Sequence, residues 1–403
     1  MKKITIIGGG PAGYAAALYA NNFDLDVTLI ESDVLGGTCL NRGCIPAKYW
    51  LHVAELNHEI ENANDYGIEI NQKNINWANT TNKRNEIVNK LVSGIGTLLK
   101  SKKVNVIEGW GQIESKNVVV VKKENGEEEK IASDYVLLAT GSQPRGLPNL
   151  EFDNNFIINS DTALNWDEPP KKVCIVGAGA IGCEFASLLV DLDSEVTVVE
   201  LEEEILPGLD KRTSAELRKQ LTKRGVNFKL KTSIESVDNN ELVFSDGEKE
   251  NFDSVLVAIG RQPFTQNIGL DNVGISNENG FIEVDLETMQ TSTANIYALG
   301  DIVKDTPQLA HVAFAEAIAA VTHIATGEKS PVNYSAIPYV VYTNPELAEV
   351  GTNSDKAKVN ELNISQSQHS FVGVGRALIQ NQNQGVVKVY AEENGPIVGA
   401  SVC

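Results

Sequence analysis

"KKITIIGGGPAG", residues 2–13, returns as "KKVCIVGAGAIG" at residues 171–182. Each copy reads as two lysines, an apolar strand and a G-x-G-x-x-G turn. The glycines are Gly8, Gly10 and Gly13 in the first copy and Gly177, Gly179 and Gly182 in the second. A helix-forming segment follows each turn, "YAAALYANN" and "CEFASLLVDL", and a second strand follows each helix. "DVTLIE" ends in Glu31 and "EVTVVE" in Glu200, each acid 23 residues after the first glycine of its motif. One such motif is weak evidence in a chain with 33 glycines, whereas two copies at the same place in two βαβ units are strong.

The physics of the pattern is specific. The first glycine makes the tight turn, the second lets the backbone approach a pyrophosphate, and the third lets helix and strand pack closely. Pro11, Ala12 and Ile181 fill the positions between, where a helix N-terminus offers open N–H groups and its positive dipole end to phosphates. The terminal acid accepts hydrogen bonds from a ribose. Two sites suggest two different cofactors. Glu200 would bond a 2′-hydroxyl and repel a 2′-phosphate, and "VVELEEEILP" has no arginine, so NAD is favoured over NADP at the second site.

Further strand ends extend the α/β reading. "YVLLATGSQPR" (135–145) and "SVLVAIGRQPF" (254–264) are buried apolar strands running into Gly141 and Gly260, and "NIYALGD" (295–301) ends in Asp301. Ligands of open α/β sheets sit at the carboxyl ends of strands, which makes Asp301 a candidate cofactor ligand; its bland reading is a turn cap. "PQLAHVAFAEAIAAVTHIATG" reads as a long helix whose N-terminus, at Ala310 and His311, could face a cofactor. The stretches around 100–132 and 226–251 alternate like small hairpins. From about Asn333 the text turns into strands with one short helix between them. The expected organisation is two Rossmann-like dinucleotide-binding domains, 1–147 with 266–331 and 148–265, followed by an α+β region at 332–403.

Composition bounds the function. The net charge of −20, from 34 basic and 54 acidic residues, argues against a nucleic-acid partner, which would need clustered Lys and Arg. It fits solubility, with an acidic surface for a basic protein partner as the sharper alternative. No run of eighteen apolar residues predicts a membrane span, and the apolar run before Gly8 is too short for a signal peptide. A cytoplasmic setting is expected, where a close cysteine pair is more often catalytic or metal-binding than structural.

That pair lies in "LGGTCLNRGCIPAK", residues 35–48, with "PAKYWLHVAELNHEIENA" behind it as a helix. On a regular helix residues five apart stand about 8.6 Å apart at Cα, beyond the roughly 7 Å that a disulfide spans. Gly43 and Pro46 are the residues that permit a distorted or starting turn, and a strained local disulfide is the reducible kind. Three readings compete: a zinc site, two unrelated buried thiols, and a redox-active disulfide against a cofactor. Zinc needs about four ligands, and the five histidines offer no second close pair, since His52 and His58 are expected to point to solvent. Cys174 in a strand and Cys183 in a helix first turn read as inert core thiols.

"GGTCLNRGCIPAK" behind an N-terminal dinucleotide motif resembles the active site of the flavoprotein disulfide reductases, and among them the dihydrolipoamide dehydrogenases. The resemblance runs the whole chain in order, through "ATG", the second glycine motif, "AIGRQP", "ALGD" and "LAHVAFAEA". It implies FAD at Gly8, Gly10, Pro11, Ala12, Gly13, Glu31, Gly37, Thr38, Lys48, Thr140, Gly141, Asp301, Ala310 and His311. It implies NAD at Gly177, Gly179, Ile181, Gly182, Glu200, Gly260 and Arg261. Cys39 would be the interchange thiol, Cys44 the thiol against the flavin, and Lys48 would pair with Glu184 beside it; no metal is implied. Electrons would pass from dihydrolipoamide to a Cys39–Cys44 disulfide, then to FAD and NAD. Glutathione- and mercuric-reductase-like chains share the cysteine motif but prefer NADPH, which Glu200 opposes. A diaphorase that bypasses the thiols and a non-catalytic chain stay open.

The resemblance also implies a homodimer, lipoamide free or carried by the E2 component of a 2-oxoacid dehydrogenase complex, and neither nucleic acid nor membrane as partner. In that family the last domain continues past the point matching Cys403 into a His-Pro motif with a nearby Glu, the base for the substrate thiol. None of the five histidines here is followed by Pro. The expectation is therefore an incomplete interface domain: FAD and NAD bound and dye reduction retained, with slow lipoamide turnover and a weak dimer.

Overall fold

The computed structural model describes residues 1–403. Its helices are α1 (Pro11–Ala20), α2 (Gly37–Arg42), α3 (Cys44–Glu61), α4 (Trp77–Ser101), α5 (Ser160–Ala163), α6 (Ala180–Val190), α7 (Lys211–Lys223), α8 (Ala310–Thr326), α9 (Ser354–Val359) and α10 (Gly375–Ile379). Contacts group the chain into two units. The first holds Met1–Pro46, Asn82–Gln143 and Arg261–Tyr334; the second holds Ala47–Thr81, Pro144–Gly260 and Ser335–Cys403. The segment expected to bind NAD and the one expected to form the interface thus fall in one unit, and residues 47–81 go with them.

Unit 1 is built on a parallel sheet in the order Ile296–Ala298, Tyr135–Leu138, Lys2–Ile7, Leu25–Glu31, Asn105–Glu108. The central strand pairs Ile7 with Ile30 on one side and with Leu138 on the other. Strands buried on both faces need continuous apolar runs, and Ile4, Ile6, Leu29, Val136, Leu137 and Leu138 are all at most 1% exposed. Helices α1 and α8 pack together through alanines, including the buried Ala16, Ala17, Ala317 and Ala320, whose small side chains let two helices approach closely.

Unit 2 repeats the plan: Asn227–Leu230, Glu195–Glu200, Lys172–Val176, Ser254–Val257, Ile157–Ile158, again parallel. The same unit carries a five-stranded antiparallel sheet from residues 338–402, with Ile397–Val402 as its central strand. Lys388 Nζ reaches Asp210 Oδ2 at 2.6 Å, with Tyr390 on the same carboxylate, so a buried ion pair ties this sheet to the N-terminus of α7. Asp210 is the N-cap of that helix and accepts from the N–H groups of Arg212 and Thr213.

Three expectations change. The stretches at 100–132 and 226–251 do fold as antiparallel three-stranded sheets, but the first strand of each, Asn105–Glu108 and Asn227–Leu230, joins the parallel sheet instead. The C-terminal region holds two short α-helices, α9 and α10, where one was expected. His58 does not point to solvent: its Nδ1 lies 3.3 Å from the buried Asp191, while His52 is exposed. No helix is long and apolar enough to cross a membrane.

Candidate functional site

The first glycine turn is closed by backbone contacts that only glycine permits. Gly8 has φ +107°, and a Cβ there would stand 2.2 Å from the Ala139 carbonyl oxygen. Gly10 is the N-cap of α1 and no side chain caps it, while Pro11 at the first helical position has no N–H to satisfy. The helix start is left open to an anion. Glu31 closes the turn from the other side: Gly9 N–H donates to its Oε2 at 2.6 Å and Asp33 N–H to its Oε1 at 2.8 Å. Burial pushes the Glu31 carboxyl above the usual carboxylate value, against the pull of the Gly9 N–H.

The cysteine motif is docked on this turn. Gly36 N–H donates to the Gly9 carbonyl at 2.8 Å. Gly37 has φ +55°, and a Cβ on it would meet Gly10 Cα at 2.7 Å, so α2 starts in backbone contact with the dinucleotide loop. Thr38 and Cys39 follow in its first turn. Helix α2 ends at Arg42, the backbone leaves helical geometry at Gly43 (φ −150°, ψ −112°), and α3 starts at Cys44. The two cysteines, both half-buried, therefore occupy separate helices, and the break falls where Gly43 allows it. Tyr14, one residue after the third glycine, was not singled out by the sequence. Its hydroxyl is pushed up to about 12 by burial and then by the charges of Cys39 and Cys44.

At the other strand ends of unit 1, Arg261 Nε donates to Ser142 Oγ and Nη2 to the Ser142 carbonyl, both at 2.7 Å, and Ser142 Oγ donates to Asp301 Oδ2 at 2.5 Å. Arg261, expected with the NAD residues, is thus placed in unit 1 with its guanidinium on Ser142. Thr140 Oγ1 donates to the Phe264 carbonyl at 2.6 Å, fixing the loop that carries Gly141 (φ +72°), around which a Cβ would meet open space. Ala310 and His311 open α8, whose N-cap Leu309 offers no side-chain cap.

Behind Asp301 lies a second acid. Glu316 of α8 is fully buried; Gly300 N–H donates to its Oε2 at 2.6 Å and Tyr334 Oη–H to its Oε1 at 3.0 Å. Burial raises its carboxyl from 4.5 to about 7 in spite of these bonds and a further one from Thr306, and the charge of Asp301 adds to the rise. A raised carboxyl binds a proton more tightly in the folded chain than in the unfolded one. Its contribution to stability is therefore complete below pH 4.5 and is lost as pH climbs through about 7, by about 3 kcal/mol at most. In urea unfolding, wild type should lose that amount relative to Glu316→Gln between pH 4.5 and pH 8. A difference between the two that stays constant with pH would contradict it.

Unit 2 reproduces the nucleotide turn. Gly177 has φ +100°, Gly179 caps α6 with open space around it, and Ile181 and Gly182 lie in the first turn. Ala178 N–H donates to Glu200 Oε2 at 2.6 Å and Glu202 N–H to its Oε1 at 3.0 Å, the arrangement seen at Glu31. Gly260, with φ +108°, also faces open space. The bases around the acidic run after Glu200 are taken: Lys211 and Lys231 pair with Glu203, and Arg218 with Glu204. A 2′-phosphate would find repulsion from Glu200 and no spare cation among these three. kcat/KM for NADH should exceed that for NADPH by about 100-fold or more, and Glu200→Ala should narrow the gap. NADPH as the better coenzyme would overturn this assignment.

The same unit holds the expected ion pair. Lys48 Nζ meets Glu184 Oε1 and Oε2 at 2.9 and 2.8 Å, with Glu184 buried and Lys48 half-buried. Lys48 lies one turn after Cys44 on α3. Tyr342, unsuspected in the sequence, completes the group: its N–H donates to Glu184 Oε1 at 3.0 Å and its ring centroid is 4.5 Å from Lys48 Nζ, within cation–π range. Cys174, Cys183 and Cys403 are buried, and burial pushes all three thiols well up, as suits core residues.

Two glycine turns with open helix starts, each closed by a strand-end acid, can hold two dinucleotides, and the first carries a cysteine pair on its rim. Residues 2–317 match the pyridine nucleotide-disulphide oxidoreductase family, and residues 337–403 match its dimerisation domain. A dihydrolipoyl dehydrogenase of Bacillus subtilis is 37% identical over 408 residues, covering 97% of this chain and 86% of the relative. Dihydrolipoyl dehydrogenase 3 of Pseudomonas putida is 38% identical, covering 98% and 87%. The crystal structure of LpdA from Mycobacterium tuberculosis superposes with a TM-score of 0.92 at 27% identity, covering all of this chain and 90% of the other.

Proposed function

The chain belongs to the pyridine nucleotide-disulphide oxidoreductase family, whose members of this kind use FAD and NAD, and from that premise we propose that it is a dihydrolipoyl dehydrogenase. The observation that carries the proposal is the docking of "GGTCLNRGC" on the first dinucleotide turn through Gly36–Gly9 and Gly37–Gly10.

Bound FAD would supply a two-electron carrier between thiol chemistry and nicotinamide chemistry. The chain's own residues would do the rest. Gly8, Gly10, Gly13, Glu31 and Asp301 would hold FAD, and Gly177, Gly179, Gly182 and Glu200 would hold NAD. A substrate thiolate would attack the Cys39–Cys44 disulfide at Cys39, forming a mixed disulfide and releasing Cys44 as a thiolate. The second substrate thiol would then displace Cys39, leaving oxidised substrate and a reduced pair. Lys48, held by Glu184 and Tyr342, would present a fixed positive charge. The natural substrate would be a lipoyl group on the E2 component of a 2-oxoacid dehydrogenase complex, and the enzyme a cytoplasmic homodimer.

Steady-state assays test the proposal: NAD reduction by dihydrolipoamide, and NADH oxidation by lipoamide, by quinones and by dyes. Thiol-dependent turnover in both directions is expected. Dye and quinone reduction without any lipoamide turnover would instead identify an NADH diaphorase.

A further inference from the structure

The geometry points to Glu316 as a positioning residue for the FAD site, holding the Gly300–Asp301 turn in the conformation that meets the cofactor. The inference rests on the assignment of the first dinucleotide site to FAD. Nothing in the proposed reaction uses this carboxylate, yet it sits fully buried among the alanines of α8, where an acid is costly unless its oxygens are bonded. Both are. Oε2 takes the Gly300 N–H at 2.6 Å, and Oε1 takes the Tyr334 hydroxyl at 3.0 Å.

Gly300 is where the strand Ile296–Ala298 gives way to the turn carrying Asp301. Its φ of +72° is the left-handed region, and a Cβ there would touch Ala12 Cβ of α1 and Ala313 Cβ of α8, each at 3.4 Å. The turn is thus wedged between the helix that opens the first glycine motif and the helix that carries Glu316. On its far side Asp301 is fixed by Ser142. The Glu316 bond is the one that fixes the backbone N–H immediately before Asp301. Without it, the turn keeps the bonds to Asp301 from Ser142 and from the Gln308 amide, but the buried Gly300 N–H loses its partner, and the start of the turn is no longer held against α8 as it leads into Asp301.

FAD and NAD affinities of the full-length protein, stripped of flavin and titrated with each nucleotide, decide the matter for wild type, Glu316→Gln and Glu316→Leu. Leu should weaken FAD by about 10- to 100-fold, the value of one charge-assisted hydrogen bond left unmade. Gln, whose amide oxygen still accepts from Gly300 and whose amide group can donate to Tyr334, should restore FAD binding to within about threefold. NAD binding, which depends on the other glycine turn, should stay unchanged in both. Glu316→Leu with wild-type FAD affinity would overturn the inference. So would equal loss of both nucleotides, which is the mark of a general loss of structure, or a Gln variant as weak as Leu. A wild-type protein that takes up no FAD would overturn the assignment of the first site itself.

Discussion

Cys44→Ser should abolish NAD reduction by dihydrolipoamide, a loss on the order of 10⁴-fold or more, and leave NADH–dye reduction within about twofold of wild type. Cys39→Ser should do the same. The size of the effect follows from the chemistry: a hydroxyl cannot form or release a disulfide, so the only two-electron path from a substrate dithiol is cut rather than slowed. The selectivity follows from the structure. Cys39 and Cys44 lie on the rim of the first dinucleotide turn, whose shape is set by Gly8, Gly13, Glu31 and the backbone at Gly9. Thiol titration of the denatured protein before and after reduction gives a second reading: two more thiols after reduction in wild type and none in either variant. Full lipoamide turnover by Cys44→Ser would remove the disulfide from the mechanism, and loss of dye reduction along with it would show that serine damages the nucleotide site.

What the sequence made legible was local. Both glycine turns, the acids at Glu31 and Glu200, the strand end at Asp301 and the break at Gly43 all depend on residues close in the chain and on backbone rules that single residue types reveal. Helix α4 escaped because its composition hides it. "WANTTNKRNEIVNKLVSGIGTLLKS" is rich in Asn, Thr and Gly, which favour other conformations, and only Arg84, Ile95 and Leu99 of its 25 residues are buried. Tyr14, Tyr342 and Glu316 escaped for a different reason. Each gains its meaning from a partner far away in the chain: Tyr342 from Lys48 and Glu184, and Glu316 from Gly300 and Tyr334. In "AFAEAIAAV" Glu316 reads as an ordinary helical acid. Only its neighbours on every side, which were all alanine or apolar, carried a hint that this face was buried. The pairing of Lys48 with Glu184 was reachable only through the family resemblance, since no spacing rule links residues 136 positions apart.

Gly13→Ala and Gly182→Ala should each remove one nucleotide and spare the other. A Cβ at Gly13 would stand 1.8 Å from the Gly8 carbonyl oxygen, and one at Gly182 would stand 1.9 Å from the Gly177 carbonyl oxygen. Real Cβ atoms do not come within 3.0 Å of such neighbours, so α1 or α6 must move by about 1 Å or the turn must open. No rotamer change can relieve the contact, because both atoms belong to the backbone or are fixed to it. The helix N-terminus and the turn together form the phosphate cradle, so either response misplaces the N–H groups that would bind the pyrophosphate. Gly13→Ala should purify without flavin and lose all turnover, and it should also destabilise unit 1, whose core packs on α1. Gly182→Ala should keep its flavin and yellow colour while NADH-dependent dye reduction falls by about 100-fold or more. It should still exchange disulfides with dihydrolipoamide in a single turnover, because the thiols and the first turn are untouched. The two variants separate the sites more sharply than the acids can, since each strand-end carboxylate also ties down its own loop through the Gly9 or Ala178 N–H. A Gly182→Ala protein without flavin, or a Gly13→Ala protein with a full complement of it, would mean that the two turns had been assigned to the wrong nucleotides.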